Sequence, residues 1–86
     1  MSVYEVNRLC RDAFRDAGFR QQLLDDPAAA LALRDLTEQE RSALLAGDVG
    51  QLYRMGVLAF LLSYVPRFTL FGVDLDEFGR RMRAEA

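Results

Sequence analysis

Four groups of side chains in this 86-residue sequence have types and spacing that could do chemistry. Asp74, Asp76 and Glu77 form an acidic cluster that could attract a divalent cation. The alternating ligands and the glycine of a calcium loop are missing, and helix capping accounts for the cluster. Asp25 and Asp26 form a carboxylate pair suited in principle to acid–base work, yet beside Pro27 they read as a helix cap. Cys10 is a potential nucleophile on an apolar helical face, where a buried, inert thiol is expected. Arg54 and Arg67 flank an uncharged run. They read first as solvated flanks or ion-pair partners, and second as contacts for an anion such as a substrate carboxylate.

The sequence contains no histidine. Non-haem iron sites usually combine two histidines with a carboxylate, and tetrahedral zinc sites need Cys/His sets. Neither can be assembled here, nor can a Ser-His-Asp or Cys-His nucleophile. Chemistry involving this protein therefore calls for a reactive group supplied from elsewhere. The composition is that of a globular chain, 51% hydrophobic and 28% charged, and 86 residues predict one small domain spanning 1–86. All eleven basic residues are arginines spread along the chain, and the net charge is −2, which leaves no basic footprint for nucleic acid. No secretion signal is evident at the N-terminus, and a lone cysteine fits a cytoplasmic setting.

The stretch that must position any site runs from Gly56 to Gly72. No residue between Arg54 and Arg67 is charged. Read as a helix, Leu58, Leu61, Leu62, Val65 and Phe68 form one stripe, and Phe60, Tyr64 and Phe71 fill much of the rest. Such a helix needs cover on most sides. It is too short to span a membrane, which takes about 20 apolar residues, and Pro66 predicts a kink or a helix end near Tyr64. The aromatic residues Phe60, Tyr64, Phe68 and Phe71 divide between two readings, packed core and partner interface.

The remaining elements read as cover for that helix. Ser2 and Glu5 form a capping box for a first helix, whose stripe is Val3, Val6, Cys10, Ala13 and Ala17, widened by Leu9 and Phe14. Arg8 and Asp12 lie one turn apart on its other side, and Gly18 is the expected stop. A short helix over 19–24 follows. Asp26-Pro27 opens another carrying Ala28 to Leu33. Thr37 and Glu40 form a second capping box, Gly47 closes that helix, and Asp48 caps one through Leu52 and Tyr53. Asp74 starts a last helix with Leu75, Phe78 and Met82 inward and Arg80, Arg81 and Arg83 at its negative end. The fold class is all-α, an irregular bundle of about five to six helices around a central apolar helix.

From Phe19 to Arg83 the chain resembles a known family, the small (alpha) subunit of LigAB-type extradiol ring-cleavage dioxygenases. The resemblance is carried by Phe19-Arg20, Asp26-Pro27-Ala28-Ala29-Ala30, Leu36-Thr37-Glu38-Gln39-Glu40-Arg41 and Ala43-Leu44-Leu45-Ala46-Gly47-Asp48. It continues through Leu52-Tyr53-Arg54-Met55-Gly56-Val57, Phe60-Leu61-Leu62 and Phe71-Gly72. The resemblance implies a non-catalytic helical subunit that packs on a larger (beta) subunit, which holds the non-haem Fe(II), and helps close a catechol-type substrate pocket. No cofactor is expected in this chain itself. The residues expected to face partner or substrate are Val57, Leu58, Phe60, Tyr64 and Arg67. Leu58-Ala59 stands where many family members look like His-Pro, so an apolar side chain occupies a position that is polar in those relatives. The alternative expectation is a free-standing module of the same fold, self-associating or binding a peptide or small ligand, without dioxygenase activity.

Overall fold

The computed structural model describes residues 3–84. Among them lie eight α-helical segments: α1 (Tyr4–Arg15), α2 (Ala17–Asp25), α3 (Pro27–Ala32), α4 (Glu38–Ala46), α5 (Val49–Arg54), α6 (Ala59–Leu62), α7 (Tyr64–Arg67) and α8 (Leu75–Arg83), with a 3-10 turn at Leu70–Gly72 between the last two. No strand occurs among the described residues, and the architecture is the all-α bundle expected. Helix α1 packs on α2, α6 and α7, while α5 bridges α4, α6 and α8. Val6, Leu9, Cys10 and Ala13 of α1 meet Leu23, Leu31, Leu44, Leu52, Leu62 and Val65 in one buried core.

Most helix starts are set by local side chains. Asp26 accepts from the Ala29 N–H with Pro27 in the first turn, and Asp48 and Asp74 accept from Gln51 and Glu77. At α4, Thr37 Oγ1 accepts from the Glu40 N–H at 3.1 Å, and the Glu40 carboxylate accepts from the Thr37 N–H at 2.9 Å. Ser2 of the proposed first capping box lies outside the described residues. Helix α4 closes on Gly47 at φ +68°, with the Asp48 N–H returning to the Ala43 carbonyl.

Four expectations are corrected. Gly18 does not stop α1; Asp16 does, in extended backbone, by capping α2 through the Gly18 and Phe19 N–H groups. Ala17 consequently opens α2 and is exposed rather than continuing the α1 stripe. Asp12 does not serve Arg8: Arg34 takes it at 2.8 Å together with Glu5 at 3.1 Å, and stacks 4.4 Å over the Phe19 ring. Leu75 is 72% exposed at the first turn of α8, so only Phe78 and Met82 of the expected trio pack against the core.

The fourth correction bears on the site: the apolar stretch is not one central helix, although its first break falls where Pro66 predicts one, beside Tyr64. It breaks at Ser63, whose hydroxyl donates to the Phe60 carbonyl at 2.5 Å, and again beyond Arg67. Pro66 sits within the first turn of α7, where its missing N–H costs no intrahelical bond. The chain then turns sharply through Thr69 and Phe71, both at positive φ, held between buried Leu70 and Val73. Breaking the rod into short pieces lets Leu61, Leu62 and Val65 reach the core while neighbouring rings stay outside.

Candidate functional site

Gly56 decides where the site begins. At φ +108° it closes α5, its N–H bonding the Tyr53 carbonyl and the next N–H, of Val57, returning to Leu52. Val57 is thereby buried against the core, so this member of the expected partner-facing set lies beneath the surface. Leu58 follows in extended backbone as the residue before α6, 57% exposed, with its N–H donated to Asn7 Oδ1 of α1 at 3.2 Å. Phe60, two residues on in α6, is 71% exposed.

Tyr64, Arg67 and Phe68 extend this face toward α1. Tyr64 stacks on Phe14 with centroids 4.5 Å apart and planes 10° from parallel, and it meets Phe60 edge-on at 5.6 Å. Phe68 lies 6.3 Å from Phe14. The Arg67 guanidinium sits 5.3 Å over Phe14 and 5.7 Å from the Phe68 centroid. Arg20 covers Phe68 at 4.3 Å while donating to the carbonyls of Ala13 and Phe14 at the end of α1. The result is a continuous aromatic ledge with cations along one side. Phe71 stands apart from it, half-buried against the core.

Of the five residues expected to face a partner or substrate, Phe60, Tyr64 and Arg67 share this ledge, Leu58 is exposed two residues before Phe60, and Val57 is buried. Phe14 and Arg20 complete the ledge, although sequence reasoning gave Phe14 to the buried stripe of α1. No local signal marks either residue, because the pairing of Phe14 with Tyr64 joins positions fifty residues apart.

The other candidates resolve into structure. Glu77 is held by Arg81 and Arg80, which lower its pKa below the ordinary carboxylate value. Asp25 accepts from Gln21 Nε2 at 2.9 Å. Among the described residues no group of three or more His, Cys, Asp or Glu side chains could hold a metal ion. The donor set of this chain does not fit a non-haem iron centre. No described helix is long and apolar enough to cross a membrane.

Burial pushes the Cys10 thiol from its ordinary 9.0 up to about 12. The folded protein is expected to resist a thiol reagent at pH 8 and to react once unfolded in guanidinium. The unfolded chain releases the Cys10 proton above pH 9 and the folded chain holds it, so this residue makes stability fall as pH climbs from 9 toward 12. A Cys10→Ala comparison by urea titration at pH 8 and pH 10.5 isolates that slope.

The model of the LigA subunit of aromatic-ring-opening dioxygenase LigAB matches residues 6–86, nearly the whole chain. The chain belongs to the LigA family. No curated protein and no solved structure gives a match. Within this LigA-family chain the matched region takes in all but the first residues of α1 and the entire aromatic ledge.

Proposed function

We propose that this LigA-family chain is the non-catalytic small subunit of an extradiol-type ring-opening dioxygenase, the whole of it, 1–86, forming one cytoplasmic domain. It docks Leu58, Phe60, Tyr64 and Arg67 on a larger (beta) subunit that holds Fe(II), and helps close a catechol-type substrate pocket there. The observation that supports this reading is the exposed ledge itself. Phe60 is 71% exposed beside a stacked aromatic pair and Leu58, two residues before it, is 57% exposed, and no group among the described residues could hold a metal ion. Large apolar side chains gathered on one face mark a contact surface.

This chain's residues carry no step of ring cleavage. Their role is to contribute apolar wall and to exclude water from the partner's site. Co-expression with the large-subunit gene nearest to it should give one gel-filtration peak containing both chains, with catechol cleavage exceeding that of the large subunit alone. Persistent separation of the two chains sinks the proposal. Leu58, an exposed apolar residue, also motivates the second reading, a self-associating or ligand-binding module. A discrete homodimer of the isolated chain that Phe60→Ala dissolves would favour that reading instead.

A further inference from the structure

Charge is segregated around the ledge. From residue 49 to residue 73 the chain has no Asp or Glu, although the whole protein carries 13 of them and a net charge of −2. Arg67 borders the rings of Phe14 and Phe68. Arg11 adds a second cation, because it shares a stripe of α1 with Asn7 and Phe14. Those two residues touch the 58–68 segment on either side of it, Asn7 through the Leu58 N–H and Phe14 through the Tyr64 ring. Neither Arg11 nor Arg67 makes an ion pair among the described residues. The carboxylates on and just beyond α1 are committed elsewhere, Glu5 and Asp12 to Arg34 and Asp16 to the Gly18 and Phe19 N–H groups.

A surface of this kind is a poor match for itself. A two-fold contact between copies would set the same patch on both sides, bringing Arg11 and Arg67 toward identical charges. A complementary surface has the opposite pattern. We infer that the occupant of the ledge is a region of the catalytic subunit in which an apolar socket for Phe60 and Leu58 is rimmed by carboxylates, which pair with Arg11 and Arg67. This rests on the heteromeric reading above and adds to it the chemistry of the partner's surface. Carboxylates so placed would steer the two chains together, so the signature lies in the association rate and its dependence on salt.

The test is biolayer interferometry between the full chain and the large subunit encoded nearest to it, at 50 and 500 mM NaCl. The association rate is expected to fall at least about tenfold between the two salt concentrations. At 50 mM NaCl, Arg67→Glu and Arg11→Glu should each slow association by about tenfold and leave the circular dichroism spectrum unchanged. Arg41→Glu, whose side chain on α4 pairs with Glu38 and the Leu36 carbonyl rather than with the rings of the ledge, should bind as the parent does. A complex whose association ignores salt and both reversals overturns the acidic rim and leaves the heteromeric role standing. Absence of any complex at either salt overturns both. A homodimer formed through Phe60 overturns the assignment of the ledge to an acidic partner.

Discussion

Phe60→Ala is expected to leave the isolated chain folded while weakening its complex with the large subunit by about 2 kcal/mol, roughly thirtyfold in Kd. The two effects separate because of where the ring sits. Phe60 is 71% exposed and touches its own chain chiefly through an edge contact with Tyr64, so its removal opens no cavity. Surface changes of that kind stay within about 0.5 kcal/mol of parent stability. A ring standing out of a ledge, edge-on to a Tyr64 that is stacked on Phe14, is, by contrast, placed to fill a socket across an interface, where aromatic anchors carry most of the binding energy. Thermal denaturation and the dissociation rate of the complex check the two halves. Equal loss in both would show that Phe60 serves the fold rather than the partner.

The helix caps were legible in the sequence because each depends on residues no more than three positions apart. Asp26 with Pro27, Thr37 with Glu40, Asp48 and Asp74 all cap as their spacing indicates. Reading failed where two local signals competed, as at Asp16 and Gly18: a carboxylate that satisfies two N–H groups decides the boundary, and the glycine passes into the helix. It failed again where a partner lies far along the chain. Nothing near Asp12 indicates that Arg34, 22 residues on, will claim it.

The candidate site shows the same division. Leu58, Phe60, Tyr64 and Arg67 could be named from an uncharged run and a family resemblance. Val57 and Leu58 are neighbours with opposite fates, set by the positive φ of Gly56 and the extended backbone that follows. A helical wheel puts Leu58 on the apolar stripe and leaves Val57 off it, the reverse of their burial. The break at Ser63 falls beside Tyr64, where Pro66 predicts a kink or helix end; the second break, beyond Arg67, and the positive φ of Thr69 and Phe71 had no such signal.

Gly47→Ala is expected to cost about 2–4 kcal/mol, and the reason can be isolated by comparing it with Gly72→Ala. Both glycines have similar positive φ, +68° and +74°, where a side chain costs about 1 kcal/mol through backbone conformation alone. They differ in what a new methyl would meet. At Gly72 nothing lies within 4 Å. At Gly47 the methyl would fall 2.5 Å from Val73 Cγ2 and 3.3 Å from the Phe71 carbonyl oxygen. Val73 is buried, and Phe71 is itself fixed at positive φ, so neither can step aside cheaply. Overpacking of this sort adds about 1–3 kcal/mol. Arg81, which donates to the Gly47 carbonyl, is the flexible end of a side chain and gives way more easily. The contrast should appear in urea titration as a loss for Gly47→Ala at least twice that for Gly72→Ala, with an unchanged m-value. Equal losses would mean that the joint between α4 and the segment entering α8 is loose enough to absorb a methyl. A loose joint there would undercut the rigidity on which the neighbouring 69–72 turn, and through it the placing of Arg67 and Phe68, depends.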